Sequence, residues 1–171
     1  MGLRKKLDII RGGSTINKKC ENGDVYDSKA ILTNEVGKLI YSSEYWNTDS
    51  TTGYNGGRLQ KGIYYAIKSK KTVTWQTDPI DCLKLFSFMT NKDKIKTAND
   101  LSEKALTLPS EIPNPNHEGR KIVTFVQCHP GSLKWDWSHA CMTALNYSGF
   151  TEFDRLMSCL TDNEIIVLEL K

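Results

Sequence analysis

Alternation of apolar and polar positions with a period of two runs through most of the chain and predicts strands. Residues 7–11 (LDIIR) form a short candidate. Residues 29–33 (KAILT) and 38–42 (KLIYS) flank the tetrapeptide 34–37 (NEVG), where a glycine in a tight connection predicts a hairpin. A glycine-rich stretch, 53–57 (GYNGG), precedes a further strand at 62–68 (GIYYAIK), and 73–75 (VTW) and 83–88 (LKLFSF) continue the pattern. The most β-prone run is 121–127 (KIVTFVQ), and 164–170 (EIIVLEL) supplies a final strand.

Helical spacing is scarcer. In 151–160 (TEFDRLMSCL), Phe153, Leu156, Met157 and Leu160 recur at i, i+3, i+4 and i+7, an amphipathic helix with Thr151 placed as N-cap. Cys159 falls outside that stripe, and residues 100–106 (DLSEKAL) have the composition for one or two helical turns. Residues 91–120 are polar, and Pro109, Pro113 and Pro115 crowd the second half; 109–117 (PSEIPNPNH) is excluded from a helix interior or a central strand. This stretch reads as a surface insertion between two core strands. The expected fold is mainly β: a β-rich α+β domain spanning 1–171, built on a mixed β-sheet or sandwich, with one C-terminal amphipathic helix and a final strand.

Composition changes this picture little. The chain has 171 residues, enough for one domain with a real core, and 25% charged residues. A net charge of +3, with basic residues clustered only at 4–6 (RKK) and 68–71 (KSKK), gives no footprint for nucleic acid. No window approaches the ~18 apolar residues of a membrane span. The N-terminal segment lacks the apolar core and cleavage site of a signal peptide, and Lys6 stands where a myristoylation motif requires Ser or Thr. The protein is therefore expected to be made in the cytoplasm and to act elsewhere only by a non-standard export route.

The candidate chemistry lies just after the 121–127 run. Cys128 and His129 are followed by Pro130 and Gly131, which predict a turn there, then by a loop with Trp135 and Trp137, then by 138–141 (SHAC). The five cysteines are odd in number and contain no CxxC pair, which argues against a zinc ribbon, a thioredoxin-type site or a disulfide scaffold. A thiol attacks only as its thiolate, and a nearby imidazole is the usual means of generating one. His129 and Cys141 are 12 positions apart (141 − 129), ample for a loop to return the imidazole to the thiol. In an extended backbone His139 and Cys141 share one face and Ser138 and Ala140 the other, so either histidine can reach the sulfur. Cys128, on the opposite face from His129, is expected in the core.

The tetrapeptide Ser138, His139, Ala140, Cys141 resembles the Ser/Thr-His-Gly-Cys motif of the L,D-transpeptidase (YkuD-like) family, which also has an upstream histidine at the end of a strand. Residues 57–64 (GRLQKGIY) are similar to the glycine-then-strand element before that site, and the helix and last strand resemble those that follow it in short members. The close resemblance covers about 20 residues and the looser one about half the chain. It implies that Cys141 is the nucleophile, His129 the general base, and Ser138 and His139 shaping residues of the catalytic group. It further implies that the amides of Ala140 and Cys141 hold the oxyanion, and that Gly131, Ala140, Trp135 and Trp137 contact substrate. The substrate would be a peptidoglycan stem peptide and no cofactor would be needed. The short members include secreted antibacterial effectors and phage-associated proteins. Action in the periplasm or at the cell wall, and a cognate immunity protein or a secretion-machine component as partner, follow from that likeness. The sequence departs from the motif at Ala140, at Pro130 between His129 and Gly131, and in the eight residues that separate His129 from Ser138, fewer than the family commonly has. Two rival readings stand beside it. One is a catalytically silent binding module on the same fold. The other is a zinc site built from His129, His139 and Cys141 with His117 or Cys128.

Overall fold

The computed structural model describes residues 3–48, 56–89, 94–134 and 141–171. Alternating burial in the first strands matches the sequence pattern: β1 (Lys6–Ile10) turns Leu7 and Ile9 inward, and after the short ribbon of β2 (Lys18–Lys19) and β3 (Val25–Tyr26), β4 (Ser28–Thr33) turns Ala30 and Leu32 inward. The 34–37 connection joins β4 to β5 (Leu39–Asn47), with the Asn34 side chain accepting from the amides of Val36 and Lys38 and Gly37 at φ 82°. Then come β6 (Gly62–Lys71), β7 (Ile80–Phe86), the single turn α1 (Glu103–Leu106), β8 (Thr107–Asn114), β9 (Arg120–Thr124), β10 (Gln127–Gly131), β11 (Met142–Leu145), α2 (Glu152–Ser158) and β12 (Ile165–Leu170).

The protein is mainly β, as expected. Its mixed sheet closes on itself as a barrel in the order β1-β12-β6-β7-β10-β11-β5-β4, not as a two-layered sandwich. Two neighbouring pairs, β1 with β12 and β10 with β11, are parallel, and the other six are antiparallel. Inward side chains of these strands and the apolar stripe of α2 form one continuous core in which Trp46 and Phe153 are among the largest side chains. A helix of seven residues is too short to persist by itself, so packing holds it. Phe153, Leu156 and Met157 are buried, each contributing on the order of 1.5–3 kcal/mol. Polar contacts fix its orientation. Trp46 Nε1 donates to Tyr41 Oη (2.9 Å), which donates to the Glu152 carbonyl (2.9 Å), while Ser43 Oγ and Arg155 both reach the Glu152 carboxylate. Lys68 Nζ caps the other end by donating to the carbonyls of Met157 and Leu160, 3.0 Å each. Thr151 stands at the N-cap position but its side chain makes no capping bond.

Four expectations need correction. Residues 73–75 lie in the loop between β6 and β7, not in a strand; their β-prone side chains have no sheet neighbour there, and Trp75 is 61% exposed. Second, the 91–120 stretch, expected as a surface insertion, carries secondary structure of its own. Its proline-rich half forms β8, paired with β9 in a separate two-stranded sheet, where an edge strand tolerates Pro109 and Pro113. The 57–64 segment holds this hairpin through bonds from Gln60 N to the Pro109 carbonyl and from Glu111 N to the Arg58 carbonyl. Gly57 allows the approach: at φ 84°, a Cβ there would sit 2.6 Å from Val123 Cγ1. Third, the 121–127 run is not one strand, because Phe125 at φ 54° breaks it into β9 and β10. Fourth, His129 does not follow a strand and Pro130-Gly131 make no turn. All three lie within β10, whose pairing with β7 stops at Cys128, so the missing amide hydrogen of Pro130 sits where only β11 adjoins.

Candidate functional site

The geometry of the site follows from one parallel ladder. Cys128 pairs with Met142 and His129 with Thr143, so the same register carried back one step sets Cys141 beside Gln127. Cys128 and Met142 are fully buried in the barrel core. Strand alternation therefore turns Gln127, His129, Cys141 and Thr143 to the opposite face. His129 and Cys141 share that face on adjacent strands, two residues out of step, with Cα atoms about 8 Å apart from ladder spacings. An imidazole and a thiol can bridge that gap between them.

Backbone groups prepare both side chains. The Gln127 amide donates to Cys141 Sγ at 3.4 Å, a contact that favours the thiolate, and the Phe125 carbonyl lies 3.9 Å from the same sulfur. His129 Nδ1 is 3.0 Å from the Pro130 carbonyl. A carbonyl only accepts, so Nδ1 carries the proton and Nε2 presents its lone pair, the tautomer a general base requires. Burial dominates the titration of both groups. It drives the His129 imidazole down to about 4, assisted by the positive charge of Lys71, and it pushes the Cys141 thiol up against the opposing effects of the Gln127 amide and Lys71. At neutral pH the resting pair is thiol and neutral imidazole, rather than an ion pair.

Three neighbours escaped the sequence reading. Cys82 on β7 follows from the antiparallel register, in which Cys128 opposes Leu83 and His129 therefore adjoins Cys82. It is fully buried, and burial raises its thiol to about 11. Cys82 and Cys141 flank β10 at about 10 Å or more, beyond the ~7 Å Cα limit for a disulfide. None of the five cysteines, all of them among the described residues, is in a disulfide. Lys71 ends β6 and imposes its charge on both His129 and Cys141. Phe125 combines a left-handed backbone, which costs a side-chain-bearing residue on the order of 1–2 kcal/mol, with 58% exposure of its ring. Only its phenylalanine identity was visible in sequence, and that spoke for a strand.

Comparison of the chain with protein-family models, curated proteins and solved structures finds no match. The remaining sequence candidates divide simply. Gly131 is buried in the β10–β11 ladder, and its carbonyl accepts from Asn146 N. Trp135, Trp137, Ser138, His139 and Ala140 lie outside the described residues. Bonds from Glu21 N to the Leu133 carbonyl, Asn22 N to the Lys134 carbonyl and Tyr26 Oη to the Ser132 carbonyl fix the start of the connection that leads to Cys141. As for the zinc alternative, Cys128 points into the core, away from His129 and Cys141, and His117 Nε2 is engaged with Thr124 Oγ1. Among the described residues no three His, Cys, Asp or Glu side chains gather as a metal site.

Proposed function

We propose that the protein is a cysteine acyltransferase or peptidase with an L,D-transpeptidase-like fold, acting on peptidoglycan stem peptides. The observation that carries the chemistry is the shared face of His129 and Cys141, with the Gln127 amide aimed at Sγ and the His129 proton held on Nδ1. The motif at 138–141 carries the substrate class. His129 Nε2 takes the thiol proton as Cys141 Sγ attacks a peptide carbonyl. The oxyanion falls to the amides of Ala140 and Cys141 that the resemblance assigns to it. Collapse expels the amine, which receives the proton from His129, and leaves a thioester on Cys141. Water or a second amine then attacks that thioester, giving hydrolysis or exchange. Because the resting pair is neutral, the proton moves together with attack.

The setting proposed for this activity is the periplasm or cell wall, reached by a dedicated export machine, with an immunity protein guarding the producing cell. The test is incubation of the protein and its Cys141→Ala variant with purified cell-wall fragments, followed by product masses. Wild-type protein is expected to release or exchange stem-peptide residues, and the variant to lose at least about 1,000-fold in rate with an unchanged unfolding midpoint. Equal activity of the two proteins would refute the assignment.

A further inference from the structure

A second feature lies on the opposite face of β10. Strand alternation sends Pro130 to the side of Cys128, away from His129, and there it borders a cleft of about 340 Å³. That volume falls within the ~300–1,000 Å³ of small-molecule sites. One wall is the end of the β6–β7 hairpin with its loop, including Lys70, Gln76 and Asp81. The other wall is the turn after β11 and the first turn of α2, including Asn146, Tyr147 and Asp154.

The lining narrows the chemistry of an occupant. Lys70 and Asp81 pair with each other, so their charges cancel. Among the described residues Asp154 has no cationic partner, which leaves the cleft with one net negative charge and sets it against phosphates and carboxylates. That carboxylate is exposed, where solvent makes a single ion pair worth ~1 kcal/mol or less, too little to select an amine. The amide of Asn146 is oriented by its Oδ1, which accepts from Asp154 N at 2.8 Å, leaving its NH₂ as a donor. Gln76 is tied down in the same way, its Nε2 donating to the Asp78 carbonyl, which leaves its Oε1 as an acceptor. Two exposed aromatic rings belong to this region: Tyr147, which lines the cleft, and Trp75, the chain neighbour of the lining residue Gln76. Trp75 is 61% and Tyr147 39% accessible, and the Trp75 side chain is close enough to the Tyr147 hydroxyl to influence it. Large flat apolar faces beside planar amide and carboxylate groups suit a ligand that is apolar on its ring faces and hydroxylated around its edge.

We infer that this cleft is a binding site for a neutral saccharide, with Trp75 and Tyr147 as stacking faces and Asn146, Gln76 and Asp154 as hydroxyl partners. The site is independent of the Cys141 reading and stands whether or not that thiol is catalytic. The test is titration of the full chain with cellotriose and with the N-acetylglucosamine trimer, read by tryptophan fluorescence and by NMR. Phosphate and cadaverine serve as charged controls. Saturable binding of at least one saccharide is expected, with a dissociation constant of roughly 1 mM or tighter. Trp75→Ala should weaken it at least tenfold, whereas Asp154→Asn, which keeps a hydrogen-bonding oxygen, should weaken it less than threefold. Cys141→Ala should bind as the parent does, and unfolding midpoints should report intact folds. Absence of saturation with both saccharides, full affinity in Trp75→Ala, or tighter binding of cadaverine or phosphate would each overturn the inference.

Discussion

The resting state of Cys141 can be tested by its alkylation as pH is varied. The ordinary thiol value of 9.0 is the reference, and burial moves Cys141 above it despite the Gln127 amide and Lys71. At pH 7 the thiolate is then at most about one part in a hundred, since each unit below the pKa costs a factor of ten. The iodoacetamide rate at Cys141 should therefore rise about tenfold per pH unit from 6 to 8 and reach no plateau below 9. An ion pair with His129 would give the opposite profile, flat and fast from pH 6 upward. Peptide mapping by mass spectrometry separates Cys141 from Cys82 and Cys128, which are fully buried in the native protein. Lys71→Ala supplies the internal control: removing a charge that lowers both groups must shift the rising limb to still higher pH. A rate that levels off by pH 7, and that loses its plateau in His129→Ala, would refute the neutral-pair account and the concerted proton transfer built on it.

Two further outcomes concern stability. His129 titrates near 4 in the fold against 6.5 ordinarily, so the folded state favours the neutral ring; that contribution is complete above pH 6.5 and is lost as pH falls toward 4. Between pH 7 and pH 4 the loss is about 2–3 kcal/mol, and urea unfolding of His129→Gln should lack it; identical pH dependence in the two proteins would contradict the burial of the ring. Lys68→Met should lower unfolding free energy by about 2–3 kcal/mol, because the Met157 carbonyl in α2 and the Leu160 carbonyl just after it lose a charged donor held at a site where the lysine side chain is only 12% exposed. A change below about 0.5 kcal/mol in denaturant titration would show that water replaces the cap.

Legibility from sequence followed the exposure of each strand. β1, β4 and β12 have one face toward the core and a more accessible outer one, so their alternation could be read directly. β11 could not be read, since all four of its residues are buried and a short run covered on both sides has no period. β8 was hidden by its prolines, which are tolerated because its ladder with β9 is interrupted between Pro109 and Asn114 and because Pro109 only accepts, from Gln60 N, in the single bridge on its other side. Phe125 misled in the reverse direction: its identity favours a strand, yet its backbone sits in the left-handed region. The apolar stripe of α2 was legible because seven residues at 3.6 per turn leave little ambiguity about which face is buried. At the site, the types and order of His129 and Cys141 were visible. Their common face, and the presence of Cys82 and Lys71 beside them, depend on strand register, which no local pattern specifies.

The parallel seam between β1 and β12 has a consequence for how the molecule comes into being. β1 leaves the ribosome well before β12, yet Leu7 and Ile9 pair with Leu168 and Leu170, and the bonds from Arg11 N to the Lys171 carbonyl and from Lys171 N to the Ile9 carbonyl lock the seam. Until β12 has been synthesised, β1 has only β4 beside it and β6 has only β7. Until then the β1 and β6 edges of the nascent chain stand unsatisfied. Its vulnerable interval is set by the time between synthesis of β1 and synthesis of β12, and closure of the barrel depends on the arrival of six residues.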